Sequence, residues 1–124
     1  MDRSEKRRIL LVEDHPDTAL VVRFVLEQRG YDVTTASSCA EARAAKEATS
    51  FDLLICDIGL PDGSGLDLMG ELCGGGDIPA IAVSGFGTKD DVKRSLSAGF
   101  ADHLTKPFGM HILLDAVARA LKTN

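Results

Sequence analysis

The chain has 124 residues, 44% hydrophobic and 27% charged, a globular balance sufficient for one domain with its own core. Its 19 acids against 14 bases leave a net charge of −5, which argues against non-specific nucleic-acid binding as the main role. No stretch approaches the ~20 apolar residues of a membrane span, and no apolar segment precedes a cleavage site, so neither a membrane anchor nor a secretory signal is expected.

The basic start, Arg3, Lys6, Arg7 and Arg8, reads as a solvated tail over residues 1–7, ahead of a single domain spanning 8–122. The first strand is expected over Arg8–Glu13. A helix from Pro16 to Arg29 follows, with Pro16 suited to a first helical position and Gly30 to the stop. Tyr31–Ala36 alternates apolar and polar residues and reads as the second strand. Cys39–Thr49 is alanine-rich and helical, capped by Ser37 or Ser38. Asp52–Cys56 is the third strand, and Leu66–Cys73 a short helix before the loose loop Gly74–Asp77. Ala80–Val83 is the fourth strand and Lys89–Ser97 a helix ending at Gly99. A short fifth strand, Ala101–Leu104, and a last helix, Met110–Leu121, complete the chain.

Strands alternating with helices in this way predict an α/β fold: a five-stranded parallel sheet with helices on both faces. Few topologies remain once crossovers are right-handed. Among them, strand order 2-1-3-4-5, the doubly wound flavodoxin-like arrangement, would place strands one and three side by side at the switch point. The first helix carries three apolar i,i+4 ladders, Leu20/Phe24, Val21/Val25 and Val22/Leu26, spread over roughly 240°. Either the helix is deeply sunk or one ladder faces a partner.

The cysteines Cys39, Cys56 and Cys73 cannot all pair and form no CxxC, which fits free thiols in a reducing cytoplasm. Cys56 is expected in the core. His15, His103 and His111 show no metal-ligand spacing among themselves.

Chemistry concentrates at the strand ends. The apolar run Ile9-Leu10-Leu11-Val12 stops at Glu13-Asp14, and Leu53-Leu54-Ile55-Cys56 stops at Asp57, before the turn-rich Gly59-Leu60-Pro61-Asp62-Gly63-Ser64-Gly65. The carboxyl-end rim of an open parallel sheet is where ligands bind. Three carboxylates brought together there are costly unless a cation, a proton or a reaction uses them. The fourth strand ends at Ser84-Gly85 and the fifth at Thr105-Lys106-Pro107, adding a hydroxyl and a lysine to the same crevice.

These motifs, with Gly99-Phe100-Ala101-Asp102-His103-Leu104-Thr105-Lys106-Pro107-Phe108, occur in an order and spacing that resembles a response-regulator receiver domain of two-component signalling, over about Arg8 to Leu121. The resemblance implies the strand order 2-1-3-4-5 and Asp57 as the phosphoacceptor, taking a phosphoryl group from a phosphohistidine on a sensor histidine kinase or phosphotransfer protein. It implies Mg²⁺ held by Asp14, Asp57 and the Gly59 carbonyl, with Glu13 acting directly or through water. Lys106 would pair with one phosphoryl oxygen and Ser84 would donate its hydroxyl to another, while Gly85 leaves the approach open. The chain would catalyse its own phosphorylation and dephosphorylation only. The responding surface would comprise the helix at Lys89–Ser97, the strand at Ala101–Leu104 and the helix at Met110–Leu121, which would meet a downstream protein. The Lys106-Pro107 bond would be cis.

One position departs from the family pattern. His103 stands where an aromatic Tyr or Phe is usual; it either couples Ser84 to the output face in a weaker or pH-sensitive way, or is a surface residue, the reading favoured here. No helix-turn-helix, basic reading helix or catalytic module follows Leu121. The expected output is therefore a protein contact rather than direct nucleic-acid binding, or the chain is one receiver of a longer protein such as a hybrid sensor kinase. Alternatives are a phosphate-independent docking module and, against the repulsion of the rim acids for a flavin phosphate, a flavodoxin-like cofactor binder. A phosphohydrolase with an aspartate nucleophile would want a second Asp two residues after Asp57, where Gly59 stands.

Overall fold

Strands and helices alternate along the computed structural model, which describes residues 6–74, 78–85 and 89–121. In chain order they are β1 (Arg8–Val12), α1 (Pro16–Gln28), β2 (Asp32–Ala36), α2 (Cys39–Ala48), β3 (Leu53–Asp57), β4 (Gly59–Leu60), β5 (Gly63–Ser64), α3 (Gly65–Cys73), β6 (Ala80–Ser84), α4 (Lys89–Ala98), β7 (Asp102–Thr105) and α5 (Met110–Leu121). The main sheet is parallel throughout, in the order β2-β1-β3-β6-β7. This is the expected 2-1-3-4-5 arrangement, with β4 and β5 forming a small antiparallel hairpin outside it. The loop at 75–77 lies outside the described residues.

Period-two alternation along buried strands sends consecutive side chains to opposite faces and builds two cores. Leu10, Val12, Leu54, Cys56, Ala80 and Ala82 face α2 and α3, meeting Ala42, Leu68 and Leu72. Ile9, Leu11, Leu53, Ile55, Ile81 and Val83 face α1 and α5, meeting Val22, Leu26, Leu113 and Val117. α4 packs against α3 and β7. The three cysteines are free and buried.

The helix α1 begins with Pro16 at its start and ends before Gly30, whose φ of 91° is the left-handed conformation glycine tolerates. Its buried stripe is Ala19, Val22 and Leu26, while Leu20 (67% exposed) and Phe24 (60% exposed) face outward with Val21. The helix is therefore not deeply sunk. α2 is capped by Ser38, whose side chain accepts from the Glu41 N–H, while the Glu41 carboxylate accepts from the Ser37 N–H and hydroxyl.

Strand ends differ from expectation by a residue. Asp57 and Ser84 belong to their strands, because the backbone ladder continues past the last apolar side chain: Asp57 pairs with Val83 and Ser84 with Thr105. The Lys106-Pro107 bond is cis. Among the described residues, no helix is long and apolar enough to cross a membrane.

Candidate functional site

The strand order brings the ends of β1 and β3 together. Glu13, directly after β1, is tied down by its N–H to the Ala36 carbonyl, and its side chain is buried. Asp57, last in β3, is 7% exposed, and the following Ile58 N–H is held by the Val83 carbonyl. The Lys106 N–H donates to the Ser84 carbonyl, which fixes the lysine backbone at the same rim.

Lys106 Nζ lies 2.8 Å from Glu13 Oε1 and 2.8 Å from Asp57 Oδ2. The other oxygen of Asp57, Oδ1, accepts the Gly59 N–H at 3.0 Å. On the far side of Glu13, Oε2 accepts the His15 N–H at 3.1 Å and meets the His15 ring Nδ1 at 2.9 Å. His15 Nδ1 is also 3.4 Å from Asp14 Oδ1. Burial pushes the Glu13 carboxyl up, but its hydrogen bonds from Lys106 and His15 outweigh this and hold it below the ordinary range. Lys106 is pulled down by burial and more strongly held protonated by Asp57 and Glu13. The exposed His15 is raised by its hydrogen bond to Glu13 and by the charge of Asp14.

The donor set suits a small divalent cation. One ligand atom from each of Glu13, Asp14, His15 and Asp57 lies within 4.8 Å of the others. Among the described residues, Asp14 Oδ1 is the buried side-chain oxygen that makes no hydrogen bond, the His15 ring lying 3.4 Å from it. A buried carboxylate oxygen without a hydrogen bond is costly, and a cation bound close to it would lower that cost. Three carboxylates are an oxygen-rich set that fits Mg²⁺ better than a softer metal.

Of the expected site residues, Glu13, Asp14, Asp57 and Lys106 converge, with Gly59 immediately behind Asp57 and giving its N–H to it. Ser84 ends the next strand, β6, and is buried; its hydroxyl meets His103 Nε2 at 3.1 Å. Gly85 is exposed, and a methyl group built on it would meet nothing within 4 Å.

Two histidines have a place that the sequence did not disclose. Spacing among the histidines does not reveal the place of His15, whose partners are the adjacent Glu13 and Asp14. His103 is not a surface residue: it is partly buried, lying between Ser84 and Ser95 Oγ of α4. The surface reading failed because the face of a four-residue strand covered by α4 is set by helix packing, not by strand periodicity.

A family model described as the response regulator receiver domain matches residues 9–118. The chain is 39% identical over 116 residues to the transcriptional regulatory protein KdpE of Mycobacterium tuberculosis, covering 94% of this chain and 51% of KdpE. It thus spans about half the length of that relative. Among solved structures, a CheY-like receiver domain protein of Methanospirillum hungatei superposes with a TM-score of 0.88 at 29% identity, over 95% of each chain. The signal receiver domain of a signal transduction histidine kinase from Syntrophus aciditrophicus superposes with a TM-score of 0.83 at 34% identity, over 94% of this chain and 90% of that one.

Proposed function

We propose, from the premise that this chain belongs to the response regulator receiver domains of two-component signalling, that Asp57 accepts a phosphoryl group from a phosphohistidine donor and that the resulting charge switches a protein-interaction face. The observation that carries this reading is the setting of Asp57: a nearly buried carboxylate on a strand end, with a lysine ammonium on one oxygen, a backbone N–H on the other and the unsatisfied Asp14 Oδ1 in the same cluster.

In the transfer, an Asp57 carboxylate oxygen attacks phosphorus, the N–P bond of the donor breaks, and its electron pair leaves with the imidazole. An acyl phosphate remains on Asp57. Little covalent work falls to the other side chains, whose part is positioning and charge neutralisation. Lys106, already 2.8 Å from Asp57 Oδ2, is placed to follow the charge onto a phosphoryl oxygen. Ser84, buried at the end of the adjacent strand, supplies a hydroxyl donor to a second oxygen. Glu13, Asp14 and Asp57, with the Gly59 carbonyl, would hold Mg²⁺, which when bound offsets the charge of carboxylates and phosphoryl oxygens together.

The acyl phosphate carries a charge of about −1.5 to −2 and strong acceptor oxygens. Lys106 and Ser84 respond by moving toward it. Both sit at the ends of the strands that lead into α4 and α5, so the surface built from α4, β7 and α5 is the one that changes. Leu96 and Ile112 are exposed on its helices. The donor approaches over α1, which exposes Leu20, Val21 and Phe24; Val21 lines a cleft of about 340 Å³ together with Lys106, Phe108 and Met110. A domain boundary at residue 8, a cytoplasmic setting and an output through protein contact complete the reading.

Incubation with acetyl phosphate and Mg²⁺ is expected to add one phosphoryl group, seen by intact mass, to the wild-type chain and none to Asp57→Asn. Equal labelling of the variant would overturn the assignment.

A further inference from the structure

Ser95 on α4 is fully buried, and its Oγ lies 3.1 Å from the carbonyl oxygens of both Asp91 and Val92. Its hydroxyl hydrogen is thus directed into its own helix, the usual back-bonding of a mid-helix serine. The same Oγ faces His103 Nδ1 at hydrogen-bond distance, and with its hydrogen committed it can only accept there. In the neutral ring the hydrogen therefore sits on Nδ1, and Nε2 is a bare acceptor. Across from Nε2, at 3.1 Å, is Ser84 Oγ, which must then donate its hydrogen to the ring.

A protonated ring donates from both nitrogens. The bond to Ser95 keeps its direction, and only the bond to Ser84 reverses, so the Ser84 hydrogen is released to point elsewhere. We propose that His103 is a positioning residue for the phosphoryl site: the neutral ring holds the Ser84 hydroxyl hydrogen, and the protonated ring directs it toward a phosphoryl oxygen on Asp57. This rests on the reading of Asp57 as phosphoacceptor and Ser84 as donor to the phosphoryl group. It follows that a proton on His103 and a phosphoryl group on Asp57 strengthen each other by the same factor.

The surroundings of the ring pull its proton affinity both ways. Burial pushes His103 below its ordinary value, while Asp91 of α4 and Asp102 of β7 favour the charged ring. Ser84, uncharged, is the group facing it from β6, and Arg119 of α5 is paired with Asp102 at 2.9 Å. Burial thus favours the neutral ring, leaving a phosphoryl group room to raise its proton affinity.

The test is an NMR titration of the His103 ring in histidine-labelled protein, with and without saturating beryllofluoride and Mg²⁺, with ¹⁹F signals reporting occupancy. The midpoint is expected to rise by about one pH unit when the site is filled, equivalent to roughly tenfold coupling. Ser84→Ala, in which the negative charge at Asp57 remains but the hydroxyl is gone, is expected to lose most of that rise, and Ser84→Thr to restore it. Bound fluoride with an unchanged midpoint overturns the proposal and leaves the phosphoacceptor reading intact, as does a rise equally large in Ser84→Ala, which would be the field of the charge alone. Absence of bound fluoride in the wild-type chain overturns both.

Discussion

Gly65 supports Asp57, the proposed phosphoacceptor, from behind. It opens α3 directly after the β4–β5 hairpin, and its N–H closes onto the Ile58 carbonyl at 2.8 Å. A methyl group built there would collide with the Asp57 carbonyl oxygen and stand 2.8 Å from Ile58 Cα, both of them backbone atoms that cannot swing aside. Gly65→Ala is therefore expected to cost about 1–3 kcal/mol in urea unfolding, and to slow acetyl phosphate labelling by shifting Asp57 itself. Gly70 provides the internal control, since it lies on the exposed side of the same helix with nothing within 4 Å of an added methyl. Gly70→Ala should stabilise by about 0.5–1 kcal/mol, with labelling unchanged. Equal stability of the two variants would show that the backbone behind Asp57 gives way freely.

At the scale of elements, the β4–β5 hairpin does more than turn the chain. It carries Asp62 to the start of α2, where its carboxylate accepts the N–H groups of Cys39 at 2.8 Å and Ala40 at 3.1 Å. With Ser38 on the Glu41 N–H, three otherwise orphaned donors are satisfied. These backbone bonds hold the Asp62 carboxyl below its ordinary value. A carboxyl lowered in the folded state stabilises above its unfolded value and loses that contribution as pH falls through the folded one. The gap in melting temperature between wild type and Asp62→Ala should thus be widest near neutral pH and close in acid below about pH 4; a gap independent of pH would show that the charge is immaterial. This link was not legible in the sequence, where Pro61-Asp62 reads only as a turn, because the cap spans 23 residues through space. The apolar runs of β1, β3 and β6 were legible because strands buried on both faces admit almost nothing polar. From them follow the strands themselves and the acids at their ends, while the strand order that brings Glu13, Asp14 and Asp57 together is what the receiver-domain resemblance implies. The resting place of Lys106 between Glu13 and Asp57, and the inward turn of His103, depend on neighbours from distant segments and on no local pattern.

Across the whole molecule, the proposed function asks one surface to receive the phosphoryl group and another to report it. α1 gives the core Ala19, Val22 and Leu26, and leaves Leu20, Val21 and Phe24 exposed. Isolated exposed apolar residues need no explanation, but these three share the outward face of one helix, and Val21 among them lines the cleft that reaches Lys106. A protein donor has to cover the rim to bring a histidine to Asp57, whereas a small phosphodonor does not. Changing Phe24 to aspartate removes an aromatic anchor and adds a desolvated charge to such an interface, yet touches little of the core. Transfer from an autophosphorylated sensor kinase that labels the wild-type chain is expected to slow at least about tenfold, the scale of a lost interface anchor. Acetyl phosphate labelling and unfolding midpoint should stay at wild-type values. Leu96→Ala, on α4, is expected to leave the kinase rate unchanged, because Leu96 is exposed on the helix proposed to belong to the output surface. If Phe24→Asp slowed both donors alike, the loss would lie in the chemistry at Asp57 rather than in docking; if Leu96→Ala alone slowed the kinase, the donor would approach over α4, and the two faces would exchange roles.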